Sequence, residues 1–388
     1  MSSRELQASL SLAAIFGLRL FGMFIILPVF ALWAQGRPGW DLQLAGVALG
    51  AYGLTQAILQ IPLGTLSDRH GRKPIMYVGL AFFAAGSFLC AVSESPGWLI
   101  LGRVVQGGGA ISSVAIAAAA DLTSEANRTK AMAIIGSTIG AVFAVSFVAA
   151  PFLTAIIGVP GIFALTGVLA ITAMAVVRWL VPDGKLQTRG SRTEGMARVL
   201  RDPELMRLNV GIFSLHAVLM AMFVVVPLAL RQAGVEGSHQ WIVYLGAMVA
   251  GILLMLPGVV GPVASHERGV FLASIATVAI SLAVLIVGLG HLAGIVAALV
   301  IFFAGFNVLE AKLPALVSRA APREARGTAT GLYSSVQFLG TFAGGAAGGA
   351  LAQHLGAVAV LATCLVAMAA WFAVAWGMGD YAAAAARR

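Results

Sequence analysis

The sequence predicts an all-α membrane protein of twelve transmembrane helices, arranged as two six-helix halves with both termini on the cytoplasmic side. Three observations carry that expectation. Of 388 residues, 60% are hydrophobic and only 10% charged, against about 25% charged in soluble domains. The apolar residues gather into twelve runs, each near or above the roughly 20 residues that cross a bilayer. Segments of the two halves also match each other at a fixed offset.

The runs fall near residues 12–33, 42–66, 74–93, 97–120, 130–156, 160–181, 208–231, 239–262, 268–290, 292–318, 326–353 and 355–379. The first is long, carries Arg19 and lacks a small-x-small cleavage site, so it is expected to be retained rather than cleaved as a signal peptide. Cys90 and Cys364 stand alone in apolar runs without CxxC or Cys/His spacing, and the six histidines are scattered. Packing cysteines and no metal site are expected.

A net charge of +9 raises the question of nucleic acid. Placing Lys and Arg against the spans answers it. Nineteen of the twenty-four fall on the side shared by the termini, two in the opposite loops (Arg37, Arg231), and three within spans (Arg19, Arg103, Lys312). This is the positive-inside distribution. It predicts cytoplasmic termini, the bilayer as partner and no nucleic acid.

The repeat is visible where GMFIILP (residues 22–28) meets AMFVVVP (residues 221–227), an offset of 199. At the same offset EANRTKA, from Glu125, meets EARGTAT, from Glu324. The expected organisation is an N-terminal half over 1–181, a polar cytoplasmic linker over 182–207 with a short surface helix from Glu194 to Arg207, and a C-terminal half over 208–388. Duplicated helical halves are common in secondary transporters, which handle substrate near the midplane.

The loop after the second span reads Gly64-Thr-Leu-Ser-Asp68-Arg69-His-Gly71-Arg72-Lys73-Pro74. Glycines bracket an acid and three bases: Gly64 allows close helix approach, Gly71 a tight turn, and Asp68 can accept hydrogen bonds from a helix N-terminus. This run resembles the signature G-x-L-x-D-R-x-G-R-[KR] of the major facilitator superfamily, and the resemblance extends over the whole chain. Within that family the sequence is most similar to the twelve-helix drug:proton antiporters. The resemblance implies that Asp68 meets the start of the eleventh span near Arg326 to Thr328. It also implies a charge relay of Asp68, Arg72 and Asp121 that holds the cytoplasmic ends together when the cavity faces outward. Some such antiporters carry a soluble domain after the last helix; with the sequence ending at Arg388, none is expected.

The fourth span holds Leu99-Ile-Leu-Gly-Arg103-Val-Val-Gln106-Gly107-Gly-Gly109-Ala110, similar to the family's L-x-x-x-R-x-x-Q-G-x-G-A. An arginine inside a span costs about 2.5–3.5 kcal/mol on insertion scales. By resemblance Arg103 assists proton coupling; alternatively it is a structural arginine bonded to carbonyls. In the fifth span Gly136-x3-Gly140 matches the family's antiporter motif only in part, since Ala141 stands where that motif has proline. The two glycines are expected to form a small-residue packing ridge. Gly340, Gly344 and Gly348 in the eleventh span make a longer ridge, serving either static packing or a sliding contact between halves.

Only one of fifteen acidic residues, Glu310, lies well inside a span, in Phe306-Asn307-Val-Leu-Glu310-Ala-Lys312-Leu-Pro314. Asn307 shares its face, Lys312 points away, and Pro314 deprives the Glu310 carbonyl of its helical donor. Glu310 is therefore the expected proton site. Arg19 and Glu310 sit at similar depth in spans that line the superfamily's cavity from opposite halves, which predicts an ion pair between them; a static pair or separate carbonyl bonding is the alternative. Gln56, Gln60, His216 and Gln337 are further cavity candidates.

The implied function is proton-coupled antiport of small amphipathic compounds, with a sugar or amino-acid exporter of the same fold as the alternative. The chain is expected to be a monomer in the inner (plasma) membrane, powered by the proton gradient without a cofactor. No Walker loop is present, which excludes ATP as the energy source. No nucleophile or metal cluster suggests an enzyme.

Overall fold

The computed structural model describes residues 1–183, 192–259, 266–322 and 325–378. Every regular element among them is helical. The first span is built from α1 (Ser3–Phe24) and α2 (Leu27–Ala34). A capping box opens α1, Ser2 and Glu5 satisfying each other's backbone amides, and Pro28 occupies the first turn of α2, where its missing N–H costs nothing. Next come α3 (Leu42–His70), α4 (Arg72–Ala91), and a fourth span divided at Gly108 into α5 (Pro96–Gly107) and α6 (Ser112–Leu122).

The next helix, α7 (Glu125–Trp179), runs for 55 residues. As one rod it would measure about 80 Å, more than twice the hydrocarbon thickness. It is two spans: Gly158, at φ +66°, breaks the helical path just before Pro160. The last helix, α13 (Arg326–Trp376), repeats the device at Gly356, φ +82°. The two breaks stand 198 positions apart, within one residue of the offset that relates the halves in sequence. Between them lie α8 (Arg192–Arg201), α9 (Pro203–Gln232), α10 (Gln240–Val259), α11 (Glu267–Gly288) and α12 (Leu292–Ala320). Among the described residues ten helical segments are long and apolar enough to cross a membrane; with the two double-length ones broken at glycine, they supply twelve crossings. Part of the linker, including Lys185 and Arg189, lies outside the described residues.

The outer faces carry bare apolar side chains such as Phe152, Ile156, Leu253 and Val287, as a lipid-facing surface requires. Inside, association rests on close packing rather than on water expulsion. The helix α13 shows this most clearly. Gly340, Gly344 and Gly348 lie against α9: a Cβ added at Gly340 would strike the Phe213 carbonyl oxygen, one at Gly344 the Ala217 carbonyl oxygen, and one at Gly348 would come within 2.9 Å of Ala221 Cα. The ridge predicted from sequence is thus a packing contact inside the second half. A neighbouring row meets α3 of the first half instead: a Cβ added at Gly345 would come within 2.7 Å of the Gly46 carbonyl oxygen, and one at Gly349 within 2.5 Å of the Leu42 carbonyl oxygen. Because backbone lies directly opposite, Gly344→Val has nowhere to put its side chain. The expected outcome is loss of the monodisperse peak in size-exclusion chromatography of detergent-solubilised protein.

Candidate functional site

Two polar constellations stand out, one at a membrane surface and one in the interior. The surface site is the loop joining α3 to α4. Gly71, at φ +94°, ends the first helix and begins the second, a conformation that side chains with a Cβ adopt only under strain. The turn folds Arg72 back onto α3. Its Nη1 lies 2.5 Å from Asp68 Oδ1 and 2.6 Å from Ser67 Oγ, and its Nε lies 2.9 Å from Asp121 Oδ2 at the end of α6. The three relay residues implied by resemblance are therefore in contact. All three side chains are largely withdrawn from solvent. Removing Arg72 takes away the cation that Asp68 and Asp121 share, a loss that costs on the order of 3 kcal/mol for a buried pair. For Arg72→Ala a lowered thermal midpoint and impaired transport are expected, measured by differential scanning fluorimetry and uptake assay.

Lys73 turns outward and pairs with Asp183 at 2.6 Å, while Arg4 donates to the Asp183 carbonyl at 2.9 Å. The Lys73 ammonium, aided by Arg178 and Arg4, holds the Asp183 carboxyl below the usual carboxylate range. Arg69 is exposed. The helix expected to receive Asp68 starts at Arg326, beside residues 323–324, which lie outside the described residues.

The interior site surrounds Glu310, ten residues from the end of α12. The Gln337 amide donates to Glu310 Oε1 at 3.4 Å and lies 2.8 Å from His216 Nε2. An amide N–H can only donate, so this contact requires Nε2 as the acceptor and the proton on Nδ1, which is the neutral imidazole. Glu310 Oε2 lies 4.0 Å from His216 Nε2 and accepts no hydrogen bond. Asn307 Nδ2 and the hydroxyl of Tyr333 also lack partners. Tyr333, only 4% exposed, sits four residues before Gln337 on α13 and within electrostatic range of Glu310. The cluster draws on α9, α12 and α13 alone. A third of the Glu310 side chain, 35%, remains accessible, while Oε2 itself is buried.

Above Glu310, one turn away, Phe306 joins the halves. It stacks on Phe143 of α7 (centroids 6.3 Å apart, 20° between planes) and on Phe302 (5.4 Å, 22°), while Phe143 meets Phe24 edge-on at 4.9 Å. Phe147, one turn further along α7, meets Phe223 and Tyr244 of the second half. The same face of α7 continues in the other direction through Gly140 and Gly136, and there the contact stops: a Cβ added at either glycine would meet nothing within 4 Å among the described residues. The expectation that these two glycines form a packing ridge is corrected: among the described residues nothing packs on them, so the helix face that is filled by phenylalanine at 143 and 147 is left bare at 136 and 140.

The predicted ion pair between Arg19 and Glu310 is also absent from this structure. Arg19 is 1% exposed and donates to Ser112 Oγ and Tyr52 Oη, both at 2.7 Å, inside the first half. Each group bonds to polar partners on neighbouring helices of its own half, Arg19 Nε and Glu310 Oε2 staying unbonded among the described residues, and neither reaches across. Arg103, 2% exposed, donates to the Ala48 carbonyl at 3.1 Å, the Leu49 carbonyl at 3.3 Å and Gln106 Oε1 at 2.5 Å, with its guanidinium over the Tyr52 ring. That is the carbonyl-bonded arrangement, clamping α5 to α3. Gln56 and Gln60 are fully buried, so the structure places neither on the open cavity. From the sequence, His216 and Gln337 are cavity candidates with no assigned partner. Spacing along the chain held no sign that they, 121 residues apart, share one hydrogen bond.

Twelve crossings, an acid inside the tenth and an ion-paired loop after the second define an integral membrane transporter. Residues 12–345 match the Major Facilitator Superfamily, and the chain belongs to that family. It is 39% identical over 386 residues to the inner membrane transport protein YajR of Escherichia coli K12, covering 98% of this chain and 85% of that protein. Over 239 residues it is 26% identical to the multidrug resistance protein MdtH of Yersinia enterocolitica, covering 60% of this chain and 59% of that one. The fold is shared with the human organic anion transporter MFSD10, at a TM-score of 0.70 and 15% identity over 96% of this chain and 99% of that one.

Proposed function

We propose that the protein is a proton-coupled antiporter of the bacterial inner membrane, with cytoplasmic termini, that exports small amphipathic compounds by alternating access. The observation that carries this reading is Glu310: an acid deep in α12, with His216, Gln337, Asn307 and Tyr333 around it and one buried oxygen unbonded among the described residues. Ionisable groups at such depth are retained for ion or proton pathways. The cluster has two self-consistent states. With Glu310 ionised, Gln337 donates to it; with the carboxyl protonated, its O–H can donate to His216 Nε2 in place of the Gln337 amide. Proton arrival thereby rearranges contacts joining three helices of the second half.

A gradient of one pH unit supplies about 1.4 kcal/mol per proton and 100 mV of potential roughly 2.3 kcal/mol per charge. Together these sustain a substrate gradient on the order of 500-fold for one net charge moved. Likeness to MdtH supports drug-type cargo, and the phenylalanine roof favours an apolar solute over a sugar or amino acid. The test is a proteoliposome screen with a pH-sensitive dye trapped in the lumen. Compounds carried by antiport release lumenal protons when added outside; if no compound does so with active, correctly folded protein, the reading fails.

A further inference from the structure

The fourth span is interrupted near its middle. Its first part, α5, closes at Gly107, the chain turns through Gly108 to Ile111, and α6 begins at Ser112. No side chain caps the new helix. The amides of its first turn have no intrahelical carbonyl to meet, and they carry the positive end of the α6 dipole into the interior of the first half. A helix N-terminus opened at such depth by a broken span attracts negative charge.

A cation stands at that terminus. Arg19 of α1 donates from Nη1 to Ser112 Oγ and from Nη2 to Tyr52 Oη, both at 2.7 Å, and both acceptors are neutral. Its Nε is buried and unbonded among the described residues. A guanidinium keeps its charge in proteins, and burying one without a counter-charge is costly. The first half supplies no acid at this depth: its carboxylates all lie at helix ends or in loops. Arg103, its guanidinium 4.9 Å from the centre of the Tyr52 ring, adds a second positive charge and bonds to the neutral carbonyls of Ala48 and Leu49.

Gln56 borders the same place. It lies on the face of α3 between Tyr52, which receives Arg19, and Gln60, whose carbonyl accepts from Ser113 Oγ at 2.9 Å. Both atoms of its side-chain amide are buried and unbonded among the described residues. Arg19 Nε, the Gln56 amide and the start of α6 are thus donors gathered at one point, with excess positive charge around them.

We propose that α1, α3 and α6 enclose a binding site for one small monovalent anion of the halide class, held by Arg19 Nε, the Gln56 amide and the first amides of α6. Arg19, Gln56 and Ser112 are 1%, 0% and 8% exposed, which excludes a carboxylate borne on an organic body. The ion neutralises the buried guanidinium and ties the broken span to α1 and α3. All its ligands belong to the first half, so the inference is independent of what the protein exports.

The test is differential scanning fluorimetry of the detergent-purified full chain, titrated from sodium gluconate into sodium chloride or bromide at constant ionic strength. Gluconate, a carboxylate on an organic body, is the reference. Expected is a saturable rise in the unfolding midpoint, about 2 °C once chloride stands about tenfold above its dissociation constant. Crystals grown in bromide should show an anomalous difference peak beside Arg19 Nε. Ser112→Asp sets a carboxylate where Arg19 now meets a hydroxyl, and Arg19→Gln removes the charge; each is expected to abolish the chloride response. If Arg19→Gln fails to fold, Ser112→Asp and the bromide peak carry the same reading. The proposal is overturned if chloride and gluconate give the wild type the same midpoint, if either folded variant responds to chloride as the wild type does, or if no bromide lies beside Arg19.

Discussion

Replacing Glu310 with Gln is expected to abolish proton-driven transport in proteoliposomes while leaving substrate counterflow within about twofold of wild type for any uncharged substrate. The amide is nearly isosteric with the protonated carboxyl and can make its hydrogen bonds, so the variant resembles a carrier stuck in its proton-loaded state. It has no proton to give up, so a pH gradient cannot bias its cycle. Exchange of one substrate molecule for another needs no such step. Full proton-driven activity in Glu310→Gln would remove the basis for the coupling assignment.

His216 and Gln337 offer a graded version of that experiment. Gln337→Ala removes the donor that holds the ionised carboxylate, a charge-assisted contact that is stretched at 3.4 Å and worth on the order of 1 kcal/mol. A roughly fivefold loss of proton-driven uptake is expected, with the pH profile shifted and the maximum turnover less affected. A purely structural role would change expression and leave the pH profile in place.

The spans and the loop were legible in sequence because their signals are local. Length and apolarity mark a helix that crosses a bilayer, and Asp68, Gly71 and Arg72 declare their turn within five residues. Even the relay partner Asp121 could be placed by resemblance. The interior was harder. Depth along a span says how far a side chain lies from the surface and leaves open which neighbour it faces, and that is why Arg19 and Glu310, at similar depth, were paired on paper but find Ser112 and Gln337 in the fold. Glycine spacing misled in the same manner. Gly340 and Gly136 each begin a small-residue run, yet one abuts the Phe213 carbonyl and the other abuts nothing among the described residues. The difference is set by the helix opposite, and no property of the glycine's own helix records it.

Cross-linking α3 to α13 at the end opposite the Asp68 loop is expected to stop transport completely. There Gln43 Oε1 lies 3.1 Å from His354 Nε2, and Leu42 N donates to Gln353 Oε1 at 3.0 Å; beneath these contacts Gly46 and Gly50 interleave with Phe342, Gly345 and Gly349 across the two halves. In an alternating-access cycle this seam must part for substrate to leave on that side, and it has been built to part: small residues, two exposed polar contacts and no ion pair among the described residues hold it. The experiment joins Gln43→Cys and His354→Cys with a short bis-methanethiosulfonate linker in a background lacking Cys90 and Cys364, both of which are buried in the native chain. Uptake should fall to background on cross-linking and return when a reductant cleaves the linker, while either single cysteine treated alike stays active. Undiminished transport in the cross-linked double variant would mean that these two helices stay together throughout the cycle, and the opening would have to be sought on the other flank, where α7 meets α10 through Phe147 and Tyr244.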